Sequence, residues 1–233
     1  MPPGPLEEQL ASFGGFFAVD VLEDGSSPGA PWRPLTDLVA DATVLRRRVL
    51  AVRAALADRR GLAPSRVELR LAASTAHLGL VARLVAPAVA AAALGGPRID
   101  VRTDRLWWQD RLGVPYPLAV RPAPVGSQAG DVVLTGSAVE AVTDAVRRDF
   151  GVSPRALWGN IGSAANTAAR LVAGARPDLA AAADSAADTL LADPRVDGGR
   201  VRSGPAFRRR SCCGIYRLPG RPSVLCGDCV LAR

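Results

Sequence analysis

The chain has 233 residues and is 48% hydrophobic, which is enough apolar material for a packed core in one or two domains. Its formal net charge is +7, and because it contains no lysine, arginine supplies all 29 basic residues. This composition excludes a disordered chain. The charge suits an anionic partner, but it does not distinguish nucleic acid from a lipid headgroup or an acidic ligand. The amino-terminal residues include Glu7 and Glu8 and are untypical of a signal peptide, so we expect a cytoplasmic protein.

The first third of the chain predicts an irregular lead-in followed by helices. Residues 1–33 are rich in Gly, Pro and Ser, whereas residues 35–60 place apolar side chains at helical spacing. Ser65 followed by Glu68 predicts a capping box at the start of the next helix. Pro87 should kink or break that helix, so that a second short helix follows.

The middle of the chain changes from helical to alternating patterns. Residues 98–121 alternate with a period of about two, which predicts a hairpin formed by RIDVRT and RLWWQD, with YPLAV adding a third strand. Trp107 and Trp108 are interpreted as packing residues on the two faces of a strand. Residues 121–131 predict a loop, and a boundary between two lobes would lie there.

Helices return in the last third of the chain. Ser137 followed by Glu140 predicts another capping box, and Ser153–Pro154 predicts a helix start with Ser as N-cap and Pro at the first helical position. A further helix is expected at 177–192. The predicted fold is mainly α (α+β), with a helical body, a small central antiparallel β-hairpin and a cysteine-rich tail folded back onto the body. We divide it into a lead-in (1–33), a helical domain (34–206) and a tail (207–233).

All four cysteines lie in that tail, in the pattern C-C-x12-C-x2-C. A C-x2-C pair can chelate one metal ion, and four thiolates complete the ligand set of a structural zinc or of an iron–sulfur cluster. Adjacent cysteines are unusual in zinc knuckles, and a two-iron cluster is a wider target than one ion. From spacing alone, zinc and the cluster remain open, and a disulfide is the less favoured alternative in the cytoplasm.

The tail RRSCCGIYRLPGRPSVLCGDCVL resembles the carboxyl-terminal signature of the FhuF-like ferric siderophore reductases. Upstream, STAHLGLVARLVAP (74–87) and SPRALWGNIGSAANTAARLV (153–172) are similar to helical segments of that family and occur in the same order. The resemblance covers most of the chain from about residue 35 onward. The loop between the cysteine pairs is longer here than is typical of the family.

The resemblance implies a cytoplasmic enzyme that reduces ferric siderophore complexes by one electron and releases ferrous iron. It implies a 2Fe–2S cluster as cofactor, and the ligands would be the four cysteines of the tail, Cys212, Cys213, Cys226 and Cys229. The implied partners are a ferric siderophore and an external electron donor, which could be a reductase, a ferredoxin or a reduced flavin. Nucleic acid is not among them, and a peripheral position at the cytoplasmic membrane is compatible with the charge.

Several arginines lie close to the cysteines in sequence. A 2Fe–2S cluster with four thiolates has a formal charge of about −2, so cationic neighbours should raise its potential and attract an anionic substrate. We expect Arg210 and Arg217, the nearest to the cysteine pair, to tune the cluster or contact the substrate. No catalytic residue is expected beyond the cluster.

Three further residues stand out, and each is given a structural interpretation. His77, the only histidine, is expected to be a partly buried helical residue because four cysteines already suffice as ligands. Trp158 is interpreted as a core residue and Asn160 as a surface amide.

Two other functions remain open from the sequence. A zinc-stabilised tail with the arginine run 208–210 could bind nucleic acid, although the tail offers only Phe207 and Tyr216 for base stacking. An iron–sulfur cluster could also serve as a redox sensor without turnover.

Overall fold

The computed structural model describes residues 5–22, 26–97, 99–113, 115–121, 134–219 and 225–231. These residues form α-helices and a small sheet, so the predicted mainly α (α+β) class is confirmed. The helices are α1 (Leu6–Ala11), α2 (Leu35–Ala40), α3 (Ala42–Asp58), α4 (Leu69–Ala93), α5 (Ala138–Phe150), α6 (Pro154–Ala175) and α7 (Ala180–Leu191). The strands are β1 (Asp20–Val21), β2 (Arg33–Pro34), β3 (Leu106–Trp108) and β4 (Leu118–Val120).

Helix α4 forms the centre of the core. It packs against α3, α5, α6 and α7, and its most extensive contact is with α6. Alanine and glycine line much of both helices, which allows their backbones to approach closely. By length and composition α4 could cross a membrane, yet 78% of its most apolar stretch is buried inside the protein. Core helices of this kind pass the same test, so the finding is weak evidence for a span.

Pro87 lies inside α4 and does not end it, which corrects the predicted break. The helix runs from Leu69 to Ala93 without interruption. A proline in a helix interior costs about 3 kcal/mol because it removes one hydrogen bond and crowds the preceding turn. Ala86 and Ala88 are 4% and 3% exposed, so the surrounding packing holds this part of the helix in place and outweighs that cost.

The predicted helix over 35–60 is divided into α2 and α3. Asp41 is extended between them, and its side chain accepts a hydrogen bond from the backbone N–H of Thr43 at 2.8 Å, which caps α3. The capping box predicted from Ser65 and Glu68 is wrong. Ser65 lies in a 3-10 turn, and Glu68 precedes α4 without a side-chain cap.

The two later helix starts agree with the sequence patterns. Ser137 Oγ accepts from the backbone N–H of Glu140 at 3.3 Å, and the Glu140 carboxylate accepts from the N–H of Gly136 at 2.6 Å. Helix α6 begins at Pro154, as predicted, although Ser153 makes no side-chain cap hydrogen bond.

The sheet has the order β1-β4-β3-β2. Strands β3 and β4 form the antiparallel hairpin, with Trp107 opposite Ala119. The predicted pairing of RIDVRT with RLWWQD is wrong: RLWWQD pairs with YPLAV and with β2. The segment before β3 forms a 3-10 turn at Thr103–Arg105. The expected irregular lead-in supplies α1 together with β1 and β2 on the two edges of the sheet. Trp107 and Trp108 are both buried, as the packing interpretation requires.

The tail folds back onto the helical body, as predicted. Leu218 of the tail packs with Ala57, Val67 and Leu71 in a small second core cluster. Among the residues of the loop predicted at 121–131, the structure describes only Arg121.

Candidate metal centre

The two cysteine pairs lie in short turns of the tail. Cys212 and Cys213 precede Gly214, whose left-handed φ of +83° reverses the chain before a 3-10 turn. In the second pair, the N–H of Cys229 donates to the carbonyl of Cys226 at 3.1 Å. The pairs meet where Cys213 Sγ lies 3.9 Å from Cys226 Sγ.

The other two sulfurs accept backbone hydrogen bonds. The N–H of Gly214 points to Cys212 Sγ, and the N–H of Leu231 points to Cys229 Sγ, each at 3.3 Å. In both pairs the donor is two residues after the cysteine. Such bonds favour a negatively charged sulfur, and hydrogen bonds to sulfur also tune iron–sulfur clusters.

All four cysteines are free thiols in the structure, so the disulfide alternative is not formed. Within the described ranges, no three side chains of His, Cys, Asp or Glu are grouped as they would be around a metal ion. The structure brings the sulfurs of Cys213 and Cys226 close together. The sulfurs of Cys212 and Cys229 each accept a backbone hydrogen bond instead.

The surroundings of Cys226 are electrostatically crowded. Burial raises the pKa of its thiol, and Cys213, Asp228 and Cys229 raise it further because each adds negative charge nearby. A bound metal cation reverses this effect and deprotonates a coordinating thiol outright. A cation bound among these thiols and the Asp228 carboxylate would therefore favour their ionised forms.

Helix α6 provides the platform on which the tail rests. A Cβ added at Gly159 would lie 1.9 Å from Ser211 Oγ and 3.0 Å from a terminal nitrogen of Arg209. Only glycine at this position of α6 leaves room for the tail. One turn further, the Ser163 hydroxyl donates to the Asp228 carboxylate, which fixes the second cysteine turn to the same helix.

Arg209 is the buried cation of the site, with 1% of its surface exposed. Its guanidinium donates to the carbonyl of Ala156 at 3.1 Å and to Asn160 Oδ1 at 2.9 Å. Within the described part of the chain it makes no ion pair, and its Nε has no hydrogen-bond partner. It lines the same cleft as Cys226. A buried charge without a counter-charge is costly, so Arg209 favours an anion beside it.

Arg209 is joined to the only histidine through Asn160. The Asn160 amide donates to the carbonyl of Ser74 at 3.1 Å and to His77 Nδ1 at 3.3 Å, so the imidazole proton lies on Nε2. His77 Nε2 then donates to the hydroxyl of Thr143 at 3.0 Å, which donates to the carbonyl of Val139. Asn160, His77 and Thr143 each have partners for the groups they place in this network.

His77 is fully buried and neutral. Burial, and after it the charge of Arg209, lowers the pKa of His77 from 6.5 to about 3. It lies in helix α4, as expected, but it is completely enclosed instead of partly buried.

Asn160 was assigned to the surface from sequence, and that assignment is wrong. The side chain is 0% exposed, because it faces α4 and the tail and binds Arg209 and His77. Trp158, interpreted as a core residue, is buried at 9% exposure with Arg195 stacked over its ring at 4.2 Å.

The two arginines singled out from the sequence lie on the surface. Arg217 pairs with Glu68 at 2.8 Å, and both side chains are about half exposed. Arg210 is exposed, and its backbone N–H donates to Asp197 at 2.9 Å. Sequence reasoning passed over Arg209, which stands between two exposed arginines. The available signal was the pairing of Gly159 with Asn160 on α6, which marks a close approach beside a buried polar group.

Two clefts flank the cysteines. The first, of ≈ 280 Å³, is lined by Arg70 and Arg217 together with Cys212 and Cys213. The second, of ≈ 330 Å³, contains Cys226 and is mostly apolar, with side chains such as Leu78 and Leu171. The pair of sulfurs that meet is therefore reached from a basic side and from an apolar side.

A scan of protein-family models and a search of curated proteins find no match for this chain.

Proposed function

We propose that this protein is a 2Fe–2S reductase of ferric siderophore complexes. The observation that carries the proposal is the meeting of the two cysteine pairs, at Cys213 and Cys226, beside buried Arg209, which has no carboxylate partner among the residues that the structure describes. The resemblance of the tail and of two helices to the FhuF-like reductases supports the same function.

The donor set fits a 2Fe–2S cluster by its chemistry. The four sulfurs, Cys212, Cys213, Cys226 and Cys229, are soft ligands, and two of them already accept backbone hydrogen bonds. Cys212 and Cys229 stand in short turns, so the tail can bring them to a common centre without moving a helix. Ordering of ligand segments by the metal is general for such sites.

The cluster supplies a one-electron carrier between an external donor and the ferric complex. The chain's own residues hold its ligands and balance its charge. Arg209 places a positive charge on the inner side of the cysteines, and Asn160 holds that guanidinium in position. Gly159 allows the tail to lie directly on α6.

The basic cleft beside Cys212 and Cys213 is the proposed entrance for substrate. Arg70 attracts an anionic ferric chelate, whereas Arg217 in the same cleft is paired with Glu68, and the cleft leads the chelate to the cysteine pair. Ferric iron prefers the hard oxygen donors of a siderophore, and ferrous iron is bound by the same donors far more weakly. One electron therefore releases the metal without breaking the chelator. We place this reaction in the cytoplasm, where an external donor supplies the electron.

The test is a single-turnover reaction with a matched inert substrate. Anaerobically purified protein is reduced with dithionite, freed of excess reductant and mixed with a ferric hydroxamate chelate and a ferrous-specific dye. We expect the visible absorbance of the oxidised protein to return and about one ferrous ion to form per electron stored. The gallium(III) complex of the same chelator, which has the same charge, should produce no reoxidation.

Two results contradict the proposal. A cluster that stays reduced in the presence of the ferric chelate, with no ferrous iron released, rules out the reductase and favours the redox-sensor alternative. Protein that contains zinc and no sulfide indicates the zinc-stabilised alternative, and binding to nucleic acid with a steep salt dependence would support it.

A further inference from the structure

A separate cleft lies beside the beginning of the tail, between the amino-terminal end of α6 and the loop that follows α7. Its volume is ≈ 470 Å³, within the range of small-molecule sites. The side chains that define it are Arg155, Trp158, Arg195, Asp197 and Arg210. We call it the Arg155–Arg210 cleft, and it is lined by none of the four cysteines.

The cleft has an excess of positive charge. Arg195 is neutralised by Asp193 at 2.7 Å and by Glu140. Arg155 donates to the backbone carbonyl of Arg210 at 2.9 Å, and both residues line the cleft. Neither has a carboxylate partner among the residues that the structure describes. Two guanidinium groups in one cleft fit a phosphate, whose oxygens accept several hydrogen bonds.

Asp197 adds an acceptor that lacks a donor. Its Oδ2 accepts from the N–H of Arg210 at 2.9 Å, while its Oδ1 is a buried atom without a hydrogen-bond partner in the described part of the chain. The residue has a left-handed φ of +48°, followed by Gly198 at +81°. Aspartate adopts this conformation more readily than most residues other than glycine, and Asp197 lines the cleft. A ligand hydroxyl would satisfy Oδ1.

Arg195 and Trp158 line the cleft together. The guanidinium of Arg195 lies 4.2 Å from the centre of the Trp158 ring, and its bonds to Asp193, Glu140 and Thr135 fix its plane. A fixed guanidinium plane stacks on planar rings.

We propose that the Arg155–Arg210 cleft binds a phosphorylated planar small molecule of mononucleotide size. The phosphate contacts Arg155 and Arg210, a hydroxyl next to it donates to Asp197 Oδ1, and the planar ring lies against Arg195. The site does not depend on a cluster, so it stands or falls independently of the reductase function.

The experiment measures binding to the cluster-free full chain by calorimetry. The probes are flavin mononucleotide, adenosine monophosphate, riboflavin (which lacks the phosphate) and inorganic phosphate. We expect the two mononucleotides to bind at least about tenfold more tightly than riboflavin or phosphate alone. The double variant Arg155→Gln/Arg210→Gln should weaken mononucleotide binding by about tenfold or more and leave riboflavin unaffected.

Arg170→Gln is the matched control, because Arg170 is an exposed arginine of the same helix outside the cleft. It should change binding by less than about twofold. Asp197→Asn is the second variant, since an asparagine that keeps the bond to the Arg210 N–H turns its amide nitrogen into the cleft. This variant should weaken the binding of the mononucleotides and leave the binding of inorganic phosphate unchanged.

Three results overturn the proposal. They are the absence of mononucleotide binding at about millimolar concentration, an equal loss of binding in Arg170→Gln, and equal affinity for riboflavin and its phosphate. The second would show that the net charge of the protein attracts the probe without a defined site.

Discussion

Arg209 lies on the inner side of the cysteine tail, and its environment suits a neighbouring anion better than solvent. The guanidinium is held by Ala156 and Asn160, but within the described residues nothing balances its charge. If the four cysteines hold a dianionic cluster, that charge is balanced when the cluster is bound. Arg209 should therefore stabilise the loaded protein more than the cluster-free protein.

Replacing Arg209 by methionine tests this charge balance. We expect the increase in melting temperature on cluster loading to shrink in Arg209→Met. The reduction potential should become more negative, by about 59 mV for each 1.4 kcal/mol of lost stabilisation, because a cation favours the more negative reduced form. Thermal unfolding with and without cluster, and a redox titration, provide these values.

Arg208→Met is the matched control, since Arg208 is exposed and donates only to backbone carbonyls. It should change neither the loading effect nor the potential. Equal shifts in the two variants would mean that the tail responds to overall charge and not to the buried guanidinium.

His77 gives the fold a dependence on pH. Its pKa is about 3 in the folded protein and 6.5 when exposed, so the unfolded chain binds more protons between these values. Stability is therefore fully present above pH 6.5 and is lost as the pH falls toward 3, by at most about 1.4 kcal/mol per pH unit. Denaturant unfolding of the cluster-free protein between pH 7 and 5, where carboxylates stay largely ionised, should show this slope.

His77→Gln should flatten the dependence, because glutamine can accept from Asn160 and donate to Thr143 without titrating. An unchanged slope in this variant would assign the effect to other groups.

At the scale of elements, the tail packs on α6. Gly159 of this helix lies against the tail, whereas Gly174 does not. Gly159→Ala places a methyl group against Ser211 Oγ and Arg209, so the tail must shift outward. We expect a loss of roughly 1–3 kcal/mol in the free energy of unfolding and a loss of iron content on reconstitution. Denaturant unfolding and iron analysis test both parts.

Gly174→Ala on the same helix is the control. Apart from the neighbouring backbone of α6, no atom of the described residues lies within 4 Å of the added Cβ, and an alanine in a helix is favoured over glycine by about 0.5–1 kcal/mol. This variant should be stabilised and keep its iron. If Gly159→Ala also retains both, the tail does not rest on α6 as described.

Local signals in the sequence were enough to place some elements and not others. Ser137 with Glu140 and the start of α6 at Pro154 were predictable, because the residues that define them are neighbours in the chain. Pro87 was misread because the packing around α4 outweighs its local cost. Gly159 next to Asn160 was a local signal of close approach on α6, but the contact of Asn160 with Arg209 could not be predicted, since it joins segments about 50 residues apart.

At the scale of the whole molecule, the tail connects the two central helices. It contacts α4 through Leu71, and α6 through Gly159 and Ser163. Its Arg217 pairs with Glu68 directly before α4. The cysteine pairs thus lie against the outside of the helical body. Inside that body, a buried hydrogen-bond network runs from Thr143 to Arg209. The composition of the tail was readable from the sequence as a set of metal ligands. The position in which the tail packs on the helical body could be seen only in the structure.

The most direct test of the account is the iron and acid-labile sulfide content of anaerobically purified protein, measured together with zinc. A 2Fe–2S cluster bound by the four cysteines predicts about two irons and about two sulfides per chain. Both should be lost when Cys213 or Cys226 is changed to serine. One zinc per chain with no sulfide, or iron and sulfide that persist in both serine variants, would contradict it.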